Sequence, residues 1–268
     1  MIRRNIPPIL VFFLLFLSVS VLLPGGAYAQ SSPAPEAILR ASAKRMYAME
    51  DQTANVIFRV IGPDGVEKKT RFKLYWKNKF GQDNLNSKTL LVTESPSQTK
   101  GQKFLVWEYV EEDKADLWLY LPELRQVRRV QPGRHNHDGE EESDLLFEDM
   151  HQRRIEVDVH RLLPEKNVRG EACFVIENRL KENKLYGKTI TYISKTQGTI
   201  RKIEYFSNEG FLLKTQYIEW TQLGKVFVWK ASQIFNAKSR RKTFIEVSDV
   251  KINLGLSDTI FSERALRQ

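Results

Sequence analysis

The chain has 268 residues and a formal net charge of +9 at pH 7. Its single cysteine, Cys173, excludes an intramolecular disulfide, so stability must come from a hydrophobic core, which this length permits. Cys173 lies in a strand-like apolar run without a histidine or asparagine arrangement nearby, which favours a buried, inert thiol over a nucleophile.

The N-terminus has the pattern of a secretory signal peptide over residues 1–29. Arg3 and Arg4 precede an apolar run, Ile9 to Leu23, of about 15 residues, and Ala27-Tyr28-Ala29 supplies a small-x-small cleavage pattern before Gln30. An uncleaved anchor is the alternative, but the run is shorter than the ~20 residues that a membrane span prefers. The predicted location is therefore the periplasm, with a soluble mature chain.

The predicted elements begin with a helix over Glu36–Glu50, based on a loose apolar stripe that includes Ile38, Leu39 and Met46. About twelve strands follow, recognised by alternating or continuous apolar residues between short turns. They cover residues 54–60, 72–77, 89–93, 103–110, 116–121, 125–131, 172–180, 188–195, 200–206, 212–222, 226–235 and 242–252. A mainly β chain with such short connections predicts an antiparallel meander.

The middle of the chain, residues 132–165, departs from this pattern and is predicted to be an insertion of loop and helix. Ser143 is a plausible N-cap, and the apolar Leu145, Leu146 and Phe147 fit a short amphipathic helix. We expect the insertion to fold over one end of the sheet.

The strand over 116–121 is apolar on both sides, with leucines at 117, 119 and 121 alternating with Trp118 and Tyr120. Such a strand must be covered on both faces or line a cavity that an apolar ligand fills. A packed core between sheet and helix, with no ligand, satisfies the same pattern.

Several motifs together resemble the LolA-like family of periplasmic outer-membrane lipoprotein-sorting proteins, in its longer, less characterised branch. They are the Gly62–Gly65 hairpin, Lys100-Gly101, Trp118-Leu-Tyr-Leu-Pro122 with Arg128-Arg129, Ser143-Asp-x-x-x-Glu-Asp149, and the tail Leu256-Ser-Asp-x-x-Phe261 with Ala265-Leu266. The resemblance implies a half-open, strongly curved antiparallel β-barrel with a helical lid, formed by one lipid-binding domain over residues 30–268.

The resemblance further implies a carrier that binds acyl chains of a lipid or lipoprotein and moves it between the inner and outer membranes. The partners would be an inner-membrane transporter and, transiently, a membrane surface; no enzyme, cofactor, metal or nucleic acid is predicted. The alternative is a lipid-sensing module that signals to a membrane partner without transport. Residues expected to bind lipid are Val56, Phe58, Val60, Phe72, Leu74, Trp76, Phe104, Val106, Leu117, Leu119 and Leu121.

Charged residues near the insertion predict a lid held by ion pairs, either as a structural contact or as a release latch. The pairs would join Arg125, Arg128 and Arg129 to Asp144, Glu148 and Asp149. Two other interpretations stay open: an arginine site for a headgroup phosphate, and a hydrolase that uses the three carboxylates.

Two further clusters have a simpler explanation as solvated surface. His135-x-His137-Asp138 could offer metal ligands but lies in a polar loop without a second fixed ligand pair. The basic run Lys238–Lys242 is typical of a hairpin tip, with a docking patch for an acidic partner or membrane as the alternative.

Overall fold

The computed structural model describes residues 33–46, 48–110, 115–130, 149, 154–181 and 186–268. The predicted signal peptide over 1–29, the histidine loop at 135–138, the predicted helix over 143–147, and two of the predicted lid carboxylates, Asp144 and Glu148, lie outside these residues. Among the described residues, no helix has the length and apolarity needed to cross a membrane.

The described chain is mainly β, with one long helix near its start. Helix α1 covers Pro35–Met46, and a short helix α2 covers Glu263–Leu266. The strands are β1 (Asp51–Ile61), β2 (Glu67–Asn78), β3 (Leu85–Ser95), β4 (Lys103–Tyr109), β5 (Ala115–Leu121), β6 (Gln126–Val130), β7 (Val159–Val168), β8 (Glu171–Arg179), β9 (Lys188–Ser194), β10 (Ile200–Phe206), β11 (Leu212–Leu223), β12 (Val226–Asn236) and β13 (Lys242–Ile252).

All thirteen strands form one antiparallel sheet in the order β6-β5-β4-β3-β2-β1-β13-β12-β11-β10-β9-β8-β7. Almost every strand pairs with its neighbours in sequence, as the short connections predicted. The exception is the pairing of β1 with β13, which joins the first strand to the last in the middle of the sheet. The sheet is curved but unclosed, with β6 and β7 at its two edges. The predicted fold class is therefore confirmed.

Strand β7 was not predicted, because residues 159–165 were assigned to the insertion. Two features conceal this strand in the sequence: Pro164 lies within it, and most of its side chains are exposed. Proline lacks a backbone donor and is tolerated on an edge strand, and the pairing with β8 shifts register between Leu163 and Lys166. The loop and helix insertion must accordingly end before Val159.

Helix α1 packs on one face of this sheet, which we call the inner face. Its Ile38 is buried against Ile176 of β8 and Ile193 of β9. Direct strand pairing then links Ile176 across the sheet to Val60 of β1, through the row Thr191, Ile203, Gln216, Ile234 and Thr243. Residues that pair directly share a face, so α1 and Val60 lie on the same side. The helix ends at Met46, a turn earlier than predicted.

The C-terminal segment covers the opposite, outer face of β2 to β6. A 3₁₀ turn at Asp258–Phe261 leads into α2, and the side chains of Phe261 and Leu266 are completely buried. They pack against Leu90, Leu105 and Trp118 on the three strands β3, β4 and β5. Phe261 also accepts a hydrogen bond through its carbonyl oxygen from Trp107 Nε1, at 2.8 Å.

Candidate functional site

The eleven residues predicted to bind lipid all lie on the inner face. In β1 and β2, Val56 pairs directly with Phe72, and in β4 and β5, Phe104 pairs with Leu119. The remaining positions follow by alternation along each strand: Phe58, Val60, Leu74, Trp76, Val106, Leu117 and Leu121. These residues form two apolar groups, on β1 and β2 and on β4 and β5, with β3 and its Leu91 between them.

This arrangement explains why β5 is apolar on both sides. Its leucines at 117, 119 and 121 face inward, whereas Trp118 packs outward against the C-terminal segment. The protein's own chain thus covers the outer side of the strand. On the inner side, Leu119 and Leu121 remain partly exposed to solvent.

Aromatic side chains are also only partly buried on this face. The rings of Phe58 and Phe72 meet edge to face with centroids 5.5 Å apart, and Phe72 meets Phe104 at 6.3 Å. All three side chains have intermediate exposure. Partly exposed aromatic and aliphatic groups in one contiguous patch are typical of a surface that an apolar partner covers.

A cavity of about 200 Å³ opens on the inner face where β1, β2 and β3 approach the start of β12. Four of the predicted residues line it: Val56, Phe58, Leu74 and Trp76. The other seven predicted residues lie elsewhere on the same face. Most of the lining is apolar, as expected for a site that holds a hydrocarbon chain.

Sequence reasoning missed most of the cavity wall. The missed apolar lining residues are Met46, Met49, Leu91, Trp220, Phe227, Val228, Trp229, Ile245 and Val247. A register shift between β11 and β12 at Trp220 places this tryptophan opposite Trp229, and their rings lie 6.2 Å apart. One signal was available, because the start of β12 is apolar on both sides, from Val226 to Trp229.

A buried polar cluster occupies the inner face beside this apolar surface. The ammonium group of Lys214 pairs with the carboxylate of Asp149, and both side chains are almost fully buried. Tyr186 donates a hydrogen bond to the same carboxylate at 2.8 Å, and the Lys214 ammonium lies 4.7 Å from the ring centroid of Tyr205. Burial raises the pKa of Tyr205 well above its usual value, and the negative charge of Asp149 adds to the effect.

Tyr205 continues this cluster into the sheet. Its hydroxyl donates to Gln216 Oε1 at 2.8 Å, and Gln216 Nε2 donates to Ser232 Oγ at 3.1 Å. Each member therefore has a partner, which is the condition for a polar network to be stable when buried. Through Asp149, the network joins this residue to β10 and β11.

The predicted ion pairs of Asp149 with Arg128 and Arg129 are wrong, whereas the pairs predicted with Asp144 and Glu148 lie outside the described residues and stay predictions. Arg129 pairs with Asp116 on the neighbouring strand β5 and lies over the Trp118 ring. Arg128 is exposed and contacts Gln126, while Asp149 pairs with Lys214. Sequence distance misled the prediction, because Asp149 lies closer in the chain to β6 than to its true partner on β11.

One prediction about another residue can be compared with the structure. Cys173 is fully buried, as predicted, and burial raises the pKa of its thiol. Among the described residues, no group of three or more histidine, cysteine, aspartate or glutamate side chains is arranged to hold a metal ion.

A family model described only as that of an uncharacterized protein matches residues 85–268. The chain belongs to this family. No functionally curated protein matches the sequence.

Solved structures with the same fold are more informative. A DUF1329 family protein from Desulfovibrio piger is similar with 23% identity and a TM-score of 0.75, covering 85% of this chain and 95% of that one. A putative outer membrane lipoprotein-sorting protein domain from Vibrio parahaemolyticus is similar with 22% identity and a TM-score of 0.78, covering 87% of this chain and 98% of that one. A LolA superfamily protein from Nitrosomonas europaea is similar with 20% identity and a TM-score of 0.67, covering 87% of this chain and 100% of that one. At these identities the likeness establishes the fold, and the predicted LolA-like architecture is confirmed.

Proposed function

We propose that this protein is a periplasmic carrier that binds the acyl chains of a lipid or lipoprotein on the inner face. It would receive its cargo from an inner-membrane exporter and pass it toward the outer membrane. The observation that carries the proposal is the contrast between the two faces of β2 to β5. The C-terminal segment covers the outer face, whereas apolar side chains on the inner face remain partly exposed.

The energetics support a hydrocarbon ligand. Each methylene group removed from water contributes roughly 0.8 kcal/mol, so one acyl chain could supply on the order of 10 kcal/mol if it were fully buried. Partial exposure of the face lowers this value, which suits a carrier because cargo must also be released. The LolA-like fold and the lipoprotein-sorting name of the Vibrio parahaemolyticus structure support the same class of function.

The first experiment is mass spectrometry of organic extracts from the protein, purified without detergent from its native periplasm. A stoichiometric lipid or acylated peptide is the expected result, and it would identify the cargo class. A folded protein that carries no lipid would instead favour a fully packed core and would overturn the proposal.

A second experiment separates transport from sensing. Labelled cargo loaded on the protein should move to acceptor vesicles faster than it moves without the protein. Stoichiometric binding without any transfer would assign the protein to the lipid-sensing alternative.

A further inference from the structure

Three hairpin turns that are neighbours in the sheet project from the same end of it. They join β1 to β2, β12 to β13 and β10 to β11. Ile61 pairs directly with Lys242, and Lys214 pairs with Asn236, so the three turns lie side by side. We call this set the turn surface, which consists of residues 62–66, 207–212 and 237–242.

Exposed apolar side chains lie on both flanks of the turn surface. Phe211 is the most exposed of the large apolar side chains in the described part of the chain, at 71%, and the neighbouring Leu212 is also exposed. On the other flank, Val66 is 58% exposed. Such groups gain free energy when an apolar medium covers them. They lie on either side of the turn between β12 and β13.

This central turn is basic. Residues 237–242 contain no acidic residue and four basic ones: Lys238, Arg240, Arg241 and Lys242. The side-chain oxygen of Asn236 accepts hydrogen bonds from the backbone amides of residues 238 and 239, both at 2.9 Å, so the turn has a defined conformation. The flanking turns contribute one carboxylate each, Asp64 and Glu209, which leaves the turn surface with an excess of positive charge.

Phe80, at the opposite end of the sheet, provides a contrast. It lies in the turn between β2 and β3, and its side chain is 65% exposed. The neighbouring cation, Lys79, lies 2.8 Å from a carboxylate oxygen of Asp258 and 3.7 Å from one of Asp83. Phe80 therefore combines apolar exposure with a cation that is already paired, and it is the natural control for Phe211.

We propose that the turn surface docks on a bilayer that contains anionic phospholipids. Lys238 and Arg240 approach the lipid phosphates, while Phe211 and Val66 enter the boundary between headgroups and acyl chains. A basic patch and an apolar anchor each give marginal membrane binding, whereas the two together give stable binding. Protein interfaces place apolar groups at the centre and charges at the rim. The order here is the reverse, which favours a bilayer over an acidic protein.

Docking in this orientation brings the inner face close to the bilayer. Phe58 lies on that face three residues before the end of β1, so roughly 10 Å of strand separates it from the turn surface. An acyl chain held beside Phe58 would cross only this distance to reach the lipid. This last step rests on the proposed function, whereas docking itself can be measured without cargo.

Sedimentation with sucrose-loaded vesicles tests docking. Vesicles of phosphatidylcholine with about 30% phosphatidylglycerol, which is anionic, are compared with vesicles of phosphatidylcholine alone. We expect the purified protein to bind the anionic vesicles at least about tenfold more tightly. Raising NaCl from about 0.1 M to about 0.5 M should release it, because salt screens exposed charges.

Charge variants show whether the turn surface makes the contact. Lys238→Gln combined with Arg240→Gln should weaken binding to the anionic vesicles about 25-fold, since each basic residue near such a surface contributes roughly fivefold. Lys225→Gln combined with Lys251→Gln removes the same charge from exposed positions at the opposite end of the sheet. This control should bind nearly as well as the wild-type protein.

Apolar variants test the anchor. Phe211→Ser should weaken binding about tenfold, because the ring no longer leaves water on docking. Phe80→Ser, the control at the opposite end, should leave binding unchanged. Leu119→Glu, on the inner face and outside the turn surface, should keep most of its vesicle binding, which separates docking from cargo binding.

Circular dichroism of each variant checks that the fold is retained. Equal binding to the two kinds of vesicle, or equal losses in the turn-surface variants and their controls, would overturn the inference and leave the carrier proposal standing. A loss in Leu119→Glu as large as in the charge variant would assign the membrane contact to the inner face instead. If the protein sediments with neither vesicle, docking on lipid is wrong, and an acidic protein becomes the partner to test.

Discussion

The carboxylate of Asp258 lies 2.8 Å from the ammonium group of Lys79. Through this contact the C-terminal segment is attached to the turn that follows β2. Lys77 and Lys88 approach the same carboxylate at 3.1 and 3.6 Å, so three cations surround one anion. The hydrogen bond from Lys79, with smaller contributions from the other two lysines, lowers the pKa of Asp258 from 3.8 to about 2.

Removing the charge of Asp258 should make stability less dependent on pH in acid. The folded-state pKa lies below the unfolded one, so the stabilisation is complete above about pH 4 and is lost as pH falls through about 2. Asp258→Asn should cost about 1 kcal/mol at pH 7, since the side chain is nearly half exposed. Urea unfolding of both proteins between pH 2 and 7 measures the difference.

Asp83→Asn is the control for that experiment. Asp83 lies 3.7 Å from the same lysine but is 79% exposed, so its loss should change the free energy of unfolding little. An equal effect of the two substitutions would show that Asp258 has no special role in attaching the segment.

Phe261→Ala should strongly destabilise the protein, because Phe261 is completely buried between the C-terminal segment and β3 to β5. Truncating a buried phenylalanine typically costs about 3–5 kcal/mol, since the cavity left behind is not refilled. Phe211→Ala, at a position that is 71% exposed, should change the free energy of unfolding by less than about 0.5 kcal/mol. Chemical denaturation measures the free energy of unfolding of each variant. Equal losses for the two variants would contradict the role of the C-terminal segment as a cover of the outer face.

Leu119→Glu should abolish lipid binding without preventing folding. The substitution places a charge on the partly exposed inner face, where it opposes contact with a hydrocarbon chain. Leu124→Glu, in the exposed turn between β5 and β6, is the matched control and should bind lipid normally. Titration with a fluorescent fatty acid measures lipid binding by both variants. Unchanged binding by Leu119→Glu would remove this part of the face from the proposed site.

The contribution of the buried pair of Lys214 and Asp149 to the free energy of unfolding should depend on both side chains. Lys214→Met alone should cost about 3–5 kcal/mol, because it removes a cation that pairs with the buried Asp149 carboxylate. Asp149→Leu combined with Lys214→Met should recover much of that loss, since the two opposite charges are then removed together. Unfolding free energies of the two single variants and the double variant form the necessary cycle. Additive losses would show that the two side chains do not act as a pair.

Local patterns in the sequence predicted β1, β2 and β5 well. The alternation in β1 and β2 and the two-sided β5 gave the correct inward residues, because strand geometry alone decides which side chains share a face. Strand β7 forms a hairpin with β8 but escaped prediction, because Pro164 lies within it and its mostly exposed side chains give no apolar alternation. The cavity wall contributed by β12 escaped for a different reason. It is adjacent to β1 only through β13, a pairing that no local pattern specifies.

The pairing of β1 with β13 also has a consequence for how the molecule folds. Strand β1 ends at Ile61, yet the strand that completes its second side begins only at Lys242. Until that late strand arrives, one edge of β1 presents unpaired backbone groups that can join another chain. Closing so long a loop is slow compared with forming a hairpin. Before β13 pairs, hairpins between neighbouring strands can join only β1 to β6 and β7 to β12, and we expect aggregation to compete with folding until β13 joins these two groups.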